Sequence, residues 1–537
     1  MVNYNQFAIS DDIAYNIYNV LLYCYENNED SLVFDKNTYH IFSQNAPDYV
    51  CCMSNHSSCG FNRCLFLIKE FENFTIDGGG SEFVFHDLIT PVIIANSKNI
   101  SFKNCSFKSL RTLTAQFDVV ASNENSAELY PTFGKTFIHC GELYEGDYSQ
   151  DNYKLRFMIV YDENGKITQG KAGDYYIAPD DDAERIVFKS TQNGTITAEN
   201  LPVRVYPGQR ILFNSGSRVA ANIFIDNSLN TKIENINMHS GVGMGVIAQN
   251  CDTISIEGLT ICPEGKRCHS INVDATHFVR CKGKINIKNS VFDSQLDDAL
   301  NIHSMYLKII AKNKNSILVK QVNTDQKGID IVRGGDVIQT CDPHTLLPNG
   351  EYKVLSAKRI NLEITEITLN ENTDNIRIGD VADEISWVPD ITFENCRINN
   401  VRGRGMLLAS SGKIIIKNNY FKGTTGAAIK FESDGVFWYE SGRTNDVLIC
   451  NNIFDNCKYC DAGNSVIMVM PKEKTEKDKF YHGKIEVRDN EFKNCKGFLA
   501  YINNTESFVF ENNYVDDHSD GICNVFKCKT VKTDVDI

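Results

Sequence analysis

The sequence reads FENCRI at residues 393–398 and IKNNYF at residues 416–421, which begins 23 residues further on. Both stretches follow one pattern, in which apolar residues flank an Asn-like residue (Asn or Gly) and three variable positions. The pattern recurs with the same step of 23 from residues 233–238 to residues 256–261. A fixed period of this length is typical of solenoids, in which each turn adds one layer. Successive turns of a β solenoid lie about 4.8 Å apart along the stack.

Each repeat combines a short run of β-branched and aromatic residues with a turn rich in Asn and Gly, as in residues 70–78. Such residues suit strands and tight corners respectively. The sequence therefore predicts an all-β chain, a right-handed parallel β-helix of the pectin-lyase type. Residues 11–24 have apolar residues at helical spacing after Ser10, a plausible N-cap. We expect a short N-terminal helix there that caps the open end of the solenoid.

The repeat pattern is interrupted twice, and each interruption contains alternating runs typical of β structure. We therefore predict two inserted β-barrel-like modules within the solenoid. Longer steps between later repeats indicate loops, which are where solenoids build binding clefts. The predicted division is an N-terminal cap and first turns (1–108), an inserted β domain (109–215), a β-helix core (216–305), a second β module (306–384) and C-terminal turns (385–537).

The net charge of −15 argues against binding to nucleic acid or to an anionic membrane surface, both of which favour a basic patch. No apolar run is long enough to span a bilayer. The N-terminus lacks the pattern of a signal peptide, so we expect a cytoplasmic protein, or a secreted one if a signal was removed. A homo-oligomer is compatible with this composition.

The chain has 19 cysteines, an odd number, so at least one is unpaired within it. Free thiols favour a reducing compartment. A local group of Cys51, Cys52, Cys59 and Cys64 leaves zinc as an alternative, although the spacing fits no standard zinc pattern. Several cysteines follow the Asn of the repeat, and we expect them to pack as small apolar residues inside the solenoid: Cys105, Cys251, Cys396, Cys457 and Cys495.

Three aspartates are the candidate catalytic residues. Asp297 and Asp298 follow Asp274 by one repeat length, so stacked turns would bring the three carboxylates together. Neighbouring acids raise one another's proton affinity, and glycoside hydrolysis needs two carboxyl groups in different protonation states. The alternative is that Asp297 and Asp298 cap turn amides or bind Ca²⁺. We favour chemistry, because Asp274 and two histidines lie in matching positions.

The candidate substrate-binding residues lie on the same and later turns. His277 follows Asp274, and both Asn301 and His303 follow Asp298, so all three would share one face. The histidines are as compatible with hydrogen bonds to turn backbone as with substrate contact. In residues 437–442, Trp438 could stack on a sugar and Glu440 could bind hydroxyls. The alternative is that Trp438 is a buried aromatic residue at the base of a loop. Arg404 is a candidate orienting group.

These segments resemble the bacterial α-1,3-galactosidases that act on blood-group-B-type and related glycans. The resemblance is strongest over residues 220–310, including the Asp297-Asp298 block, continues over 385–456 and is weaker over 74–107. It implies a β-helix with inserted β-barrel domains, inverting hydrolysis of terminal α-1,3-galactose and no required cofactor or metal. The sequence departs from the family at Ser304 and Leu296, which puts linkage preference or rate in question more than reaction class.

One Asp followed a turn later by Asp-Asp also resembles the polygalacturonases, another inverting β-helix family. By that analogy Asp297 is the general acid, and Asp274 and Asp298 together activate water. The expected partner is an oligosaccharide or glycoconjugate. Two alternatives remain. The first is a β-helix hydrolase or lyase that acts on an acidic polysaccharide, and such an enzyme would need several basic residues near the catalytic acids. The second is a non-catalytic glycan-binding β-helix.

Overall fold

The computed structural model describes residues 1–56, 59–147, 152–168, 174–176, 185–460, 463, 465–470, 474, 476, 478–516 and 521–535.

Asn residues form the corners of the coil. Asn395 and Asn418 have φ of 55° and 58°, a left-handed conformation that Asn tolerates better than most residues. The Asn419 amide donates to Asn452 Oδ1, and the Asn452 amide donates to Asn490 Oδ1, each at 2.9 Å. This ladder satisfies buried polar groups from turn to turn.

The repeats stack as a parallel β-helix, as predicted. Three strand faces run along it: the front sheet carries the candidate site, and the middle and back sheets follow it along each turn. The front strands are Cys59–Lys69, Thr90–Ala95, Ile223–Asp226, Val246–Gln249, Thr276–Val279, Leu300–Lys312, Met406–Leu408, Ile429–Phe431, Ser465–Val469, Phe498–Ile502 and Cys523–Val525.

The middle and back sheets are joined by strands that bend across the corner between them, and Val2–Asn3 extends the first end of the middle sheet. The middle strands are Ser31–Val33, Glu72–Phe85, Lys98–Ser109, Leu229–Met238, Asp252–Glu257, Lys282–Lys288, Pro389–Glu394, Lys413–Lys417, Asp446–Cys450, His482–Arg488, Thr505–Glu511 and Cys528–Thr533. The back strands are Thr38–Ile41, Thr260–Ile261, Val291–Asp293, Arg397–Asn399, Tyr420–Lys422, Ile453–Asp455, Glu491–Lys493 and Tyr514–Val515.

The interior of the coil is one continuous apolar core. Phe421, Phe454 and Phe492 stack on successive turns with ring centroids 4.9 Å apart. The prediction that repeat cysteines pack inside the solenoid is confirmed, because all five are buried: Cys105, Cys251, Cys396, Cys457 and Cys495. Stacking identical residues at one position keeps the core filled as turns are added.

The N-terminal helix forms at Ile13–Glu26, after a short 3₁₀ turn at Tyr4–Phe7. Its N-cap is Asp12 rather than the predicted Ser10, because the Asp12 carboxylate accepts the Tyr15 amide at 3.0 Å. Ser10 instead accepts the Asp12 amide, one step before the helix. The apolar face of the helix packs on the first turns of the coil. Among the described residues, no helix is long and apolar enough to cross a membrane.

The first insertion contains a seven-stranded antiparallel sheet with its own apolar core. A three-stranded sheet accompanies it. The seven strands are Thr114–Ser122, Ser126–Phe133, Phe157–Tyr161, Asp174–Tyr176, Val187–Ser190, Ile196–Glu199 and Arg210–Asn214, and the three strands are Thr136–His139, Glu142–Glu145 and Tyr153–Lys154.

The second insertion is a closed antiparallel barrel that grows out of the front strand Leu300–Lys312. Extension of a front strand into the barrel fixes the barrel beside the candidate site. Its other strands are Ser316–Lys320, Val337–Cys341, Pro348–Arg359, Ile364–Leu369 and Val381–Glu384, with a 3₁₀ turn at Thr324–Gln326.

A hairpin of Asp48–Cys52 and Cys59–Lys69 precedes the first front rung. A disulfide joins Cys52 to Cys59, so these two sulfurs are not available for the zinc site considered as an alternative. The chain that leaves the first hairpin strand passes beside the candidate site and contributes Asn55 to it.

Candidate active site

Asp274, Asp298 and Arg404 occupy one column on the front sheet. Each lies two residues before a front strand, and those strands pair Thr276 with Leu300 and Leu300 with Met406. The step from Asp274 is therefore 24 residues, so Asp298 is its neighbour in register. The 23-residue period of the motif would instead have matched Asp274 with Asp297. That expectation is wrong, because the front sheet takes a step of 24 residues at this place.

Arg404 holds Asp298 in a two-pronged ion pair. Its Nε donates to Asp298 Oδ1 and its terminal amine donates to Oδ2, both at 2.9 Å. Burial raises the pKa of Asp298 to about 7 despite the opposing effect of Arg404. A carboxyl group with that pKa can accept a proton near neutral pH.

The three aspartates differ sharply in exposure. The side chains of Asp298 and Asp274 are 0% and 4% exposed, whereas that of Asp297 is 25% exposed. Asp297 lies 3.9 Å from a terminal amine of Arg404 and 3.9 Å from one of Arg218. Asp297 is thus the aspartate that an incoming molecule can reach most directly.

Asp274 is held by backbone and by a histidine. Its Oδ1 accepts the Asp298 amide at 3.0 Å, and its Oδ2 lies 2.7 Å from His277 Nδ1. Burial raises the pKa of Asp274 well above its ordinary value, and the nearby carboxylates of Asp297 and Asp298 raise it further. Arg218 and Arg404 oppose this rise.

The two histidines extend from Asp274 as a buried pair. His277 Nε2 is 3.1 Å from His303 Nε2, and His303 Nδ1 is 2.7 Å from the Ser304 carbonyl oxygen. Their side chains are buried. Neither histidine is among the residues that line the pocket described next, so the substrate contact predicted for His277 and His303 stays a prediction.

A pocket of about 180 Å³ opens in front of the aspartates. Six of the predicted site residues line it: Asp274, Asp297, Asn301, Arg404, Trp438 and Glu440. The other six lining residues were not predicted from the sequence: Asn55, Arg218, Leu407, Glu432, Ser433 and Asp434. Two of these, Asn55 and Arg218, come from the hairpin region and from the chain that returns from the first insertion, where no repeat pattern reports their position.

Asp434, Trp438 and Glu440, from one turn and the strand after it, form part of the wall of this pocket. The Asp434 carboxylate accepts the amides of Val436 and Phe437 at 2.8 Å, which fixes the turn. Trp438 is 38% exposed and lines the pocket, which contradicts the alternative of a fully buried aromatic. Glu440 begins a short strand, Glu440–Ser441, that pairs with the front strand beside His303.

Asn301 offers an open hydrogen-bonding group on the pocket floor. Its Oδ1 is buried and has no partner among the described residues. A buried amide oxygen without a partner is costly, so a donor from a bound molecule would be favourable there.

A second pocket of about 220 Å³ adjoins the first and shares Asp297 and Arg218 with it. Its walls come from the first insertion and from the loops before the front strands: Phe157, Ile159, Asn214, Gly216, Ser217, Asn272, Val273, Leu296 and Arg402. Asp297 therefore lies at the boundary between two spaces.

The Ca²⁺ alternative has a geometric basis, since one oxygen from each of the three aspartates lies within 4.8 Å of the others. The positive charge beside them is already supplied by protein, because the Arg404 and Arg218 guanidinium groups approach within 4 Å. An ion pair with two-pronged geometry satisfies Asp298 without a cation.

Comparison with known proteins finds relatives that align with most of this chain. Residues 354–535 match the family described as a right handed beta helix region. α-1,3-Galactosidase A of Shewanella woodyi is 31% identical over 522 residues, which cover 94% of this chain and 83% of that protein. α-1,3-Galactosidase B of Phocaeicola vulgatus is 28% identical over 519 residues, covering 90% of this chain and 85% of that protein. The similarity thus spans the coil and both insertions.

Proposed function

This chain belongs to the α-1,3-galactosidase family of glycoside hydrolases, and from that premise we propose that it releases terminal α-1,3-linked galactose from a glycan with inversion at the anomeric carbon. The observation that carries the proposal is the position of Asp297 between a small pocket rich in polar groups and a second pocket. The relatives directly support hydrolysis of α-galactosyl linkages.

The size of the first pocket supports exo action. Its volume of about 180 Å³ is that of a single monosaccharide, and Asp434, Trp438 and Glu440 form part of its wall. A chain-internal sugar would need an exit on both sides. The second pocket, on the other side of Asp297, has room for the sugar that leaves.

We assign the role of general acid to Asp297. It is the most exposed of the three aspartates and faces both pockets, so its carboxyl group can reach the oxygen that links the two sugars. In the proposed step, Asp297 gives its proton to that oxygen as the bond from galactose C1 to the oxygen breaks. The leaving sugar departs as an alcohol.

We assign the activation of water to Asp274, which lines the first pocket, together with Asp298, which is buried beside it. A water oxygen forms the new bond to C1 while one of its protons passes to this pair. The enzyme returns to its starting state when the accepted proton goes to solvent and Asp297 takes one up. Inversion in this proposal rests on the resemblance to two inverting families, and the anomer of the product decides it.

The charge of the pocket favours a neutral sugar. Five acidic side chains line it against two arginines, and both arginines approach the aspartates. A uronate carboxylate would meet this excess of negative charge, so the acidic-polysaccharide alternative is disfavoured. Trp438 offers an aromatic face to the sugar, and Asn301 and Glu440 offer acceptors for its hydroxyl groups.

The test is proton NMR of the sugar released from two substrates, linear galactose-α-1,3-galactose and the fucosylated B trisaccharide. We expect β-galactose to appear first from at least one, and the ratio of rates reports branch tolerance. Initial release of α-galactose would show retention. No release from either would overturn the proposed substrate.

A further inference from the structure

Asp274, His277 and His303 form a buried chain of short contacts that ends on a backbone carbonyl. The contacts are 2.7 Å from Asp274 Oδ2 to His277 Nδ1, 3.1 Å between the two Nε2 atoms, and 2.7 Å from His303 Nδ1 to the Ser304 oxygen. Each contact needs one proton to be a hydrogen bond. The three contacts therefore need three protons. Two neutral imidazoles carry only two, so the chain holds one proton more than an ionised aspartate and two neutral histidines would supply.

The carbonyl end sets the direction of the chain. A carbonyl oxygen only accepts, so His303 Nδ1 carries a proton and donates it. If His303 is neutral, its Nε2 is an acceptor, and His277 Nε2 must donate to it. A neutral His277 then has a bare Nδ1, which can only accept. The remaining donor at the 2.7 Å contact is the Asp274 carboxyl group.

The surroundings favour this neutral arrangement over a buried imidazolium. His56, which packs near His277, has its own Nδ1 on the Ser54 carbonyl at 2.9 Å and adds no negative charge. The positive groups Arg218 and Arg404 and the negative groups Asp297 and Asp298 face Asp274 from the loops before the front strands. Glu440 is the acid nearest to His303, and its Oε1 is 3.7 Å from Nε2, beyond hydrogen-bond distance.

Asn55 agrees with this direction only if its two amide atoms are exchanged. The atom placed as its Nδ2, which can only donate, lies 3.4 Å from His277 Nε2, and its Oδ1 is buried without a partner among the described residues. After the exchange, Oδ1 faces His277 Nε2 and shares the proton that Nε2 donates to His303. Burial lowers the pKa of His277 well below its ordinary value and raises that of Asp274, which agrees with neutral groups along the chain.

We propose that His277 and His303 are positioning residues that hold Asp274 protonated in the free enzyme, so that Asp298 alone receives the proton of the attacking water. Asp274 then orients that water without accepting its proton. Asp298 is suited to accept it, because Arg404 keeps a two-pronged ion pair on its carboxylate. This inference rests on the proposed function, since it divides the roles within the water-activating pair.

The first test is nitrogen NMR of the whole protein labelled with ¹⁵N-histidine, with signals of its 11 histidines assigned by single His→Gln variants. We expect His277 as the neutral tautomer protonated at Nε2 and His303 as the neutral tautomer protonated at Nδ1 near pH 7. An imidazolium at either position, or a proton on His277 Nδ1, would overturn the proposal. This measurement needs no substrate.

The second test compares Asp274→Asn with Asp298→Asn. Asparagine can donate an N–H to His277 Nδ1 and accept the Asp298 amide, so it imitates a protonated aspartate. We expect Asp274→Asn to turn over at least about tenfold faster than Asp298→Asn, because loss of a general base costs about 10²–10⁴-fold. Equal losses would show that Asp274 must ionise, and would overturn the division of roles. Failure of the wild type to release galactose would instead refute the proposed function and leave the tautomers to be judged by NMR.

Discussion

Arg404 binds both carboxylate oxygens of Asp298, each through a 2.9 Å hydrogen bond, from the next turn of the coil. The stacking of turns creates this contact, since the two residues are far apart in sequence and share a column on the front sheet. It sets the charge of Asp298 in a place where burial alone would neutralise it. The pair therefore links the regular architecture of the coil to the protonation state on which the proposed chemistry depends.

Arg404→Lys should move the acid limb of the pH–rate profile upward. Lysine keeps the charge but loses the two-pronged geometry, so the Asp298 carboxylate is held less well and its pKa rises above about 7. The activity that requires ionised Asp298 is then lost at a higher pH. The measurement is kcat/KM against pH, with Arg397→Lys on the exposed back sheet as the control. An unmoved acid limb would assign that limb to another group.

Asp297→Asn should slow release of galactose from a disaccharide by about 10²–10⁴-fold, the usual contribution of a general acid. An aryl α-galactoside with a good leaving group needs no protonation, so the variant should keep most of its activity on that substrate. Asp390→Asn is a matched control, because its Oδ1 accepts the Lys413 amide far from the pocket and asparagine can do the same. Equal losses on both substrates would remove Asp297 from the acid role.

Trp438→Ala should raise KM more than it lowers kcat. The ring lines the pocket and is well exposed, so its loss removes sugar contact worth about 1 kcal/mol, or roughly fivefold to tenfold in KM. Phe437→Ala is the control, since Phe437 is more exposed and does not line the pocket. Matching kinetics of the two variants would show that Trp438 makes no sugar contact.

Phe157→Ala should distinguish the two pockets. Phe157 lines only the second pocket, where we place the leaving sugar. We expect kcat/KM for the disaccharide to fall several-fold while inhibition by free galactose, which occupies the first pocket, stays unchanged. Weaker inhibition by galactose would mean that the substitution disturbs the first pocket as well, contrary to this assignment.

Much of the fold follows from the sequence because its physical signals are local and repeated. The 23-residue step, the Asn corners and the buried cysteines recur along the coil. Because each marks one position on a turn, the coil and the gathering of three aspartates could be predicted. The register could not, because the front sheet takes steps of its own length, and 24 residues separate Asp274 from Asp298.

The pocket residues that the sequence did not predict have a different explanation. Arg218 and Asn55 reach the pocket from chain segments outside the repeats, and nothing in their neighbours marks where those segments pass. The histidines could be placed on their turns by periodicity, but their contacts with Asp274 and with each other could not, since periodicity does not say which side chains touch. Ser10 and Asp12 are both good N-caps, and only the first helical amides decide between them.

Asp274→Asn should stabilise the fold increasingly as the pH rises. The pKa of Asp274 is raised in the folded state, so above the unfolded value of about 3.9 the native protein binds more protons than the unfolded chain. Stability then falls as pH rises through that window, until the folded pKa is passed. Asparagine has no proton to lose and escapes this penalty. We expect the melting temperatures of variant and wild type to be similar near pH 4 and to diverge in favour of the variant toward pH 8, measured with Asp390→Asn as the control. A difference that stays constant with pH would show that Asp274 titrates as it does in the unfolded chain, and so would contradict the burial and charge repulsion described for it.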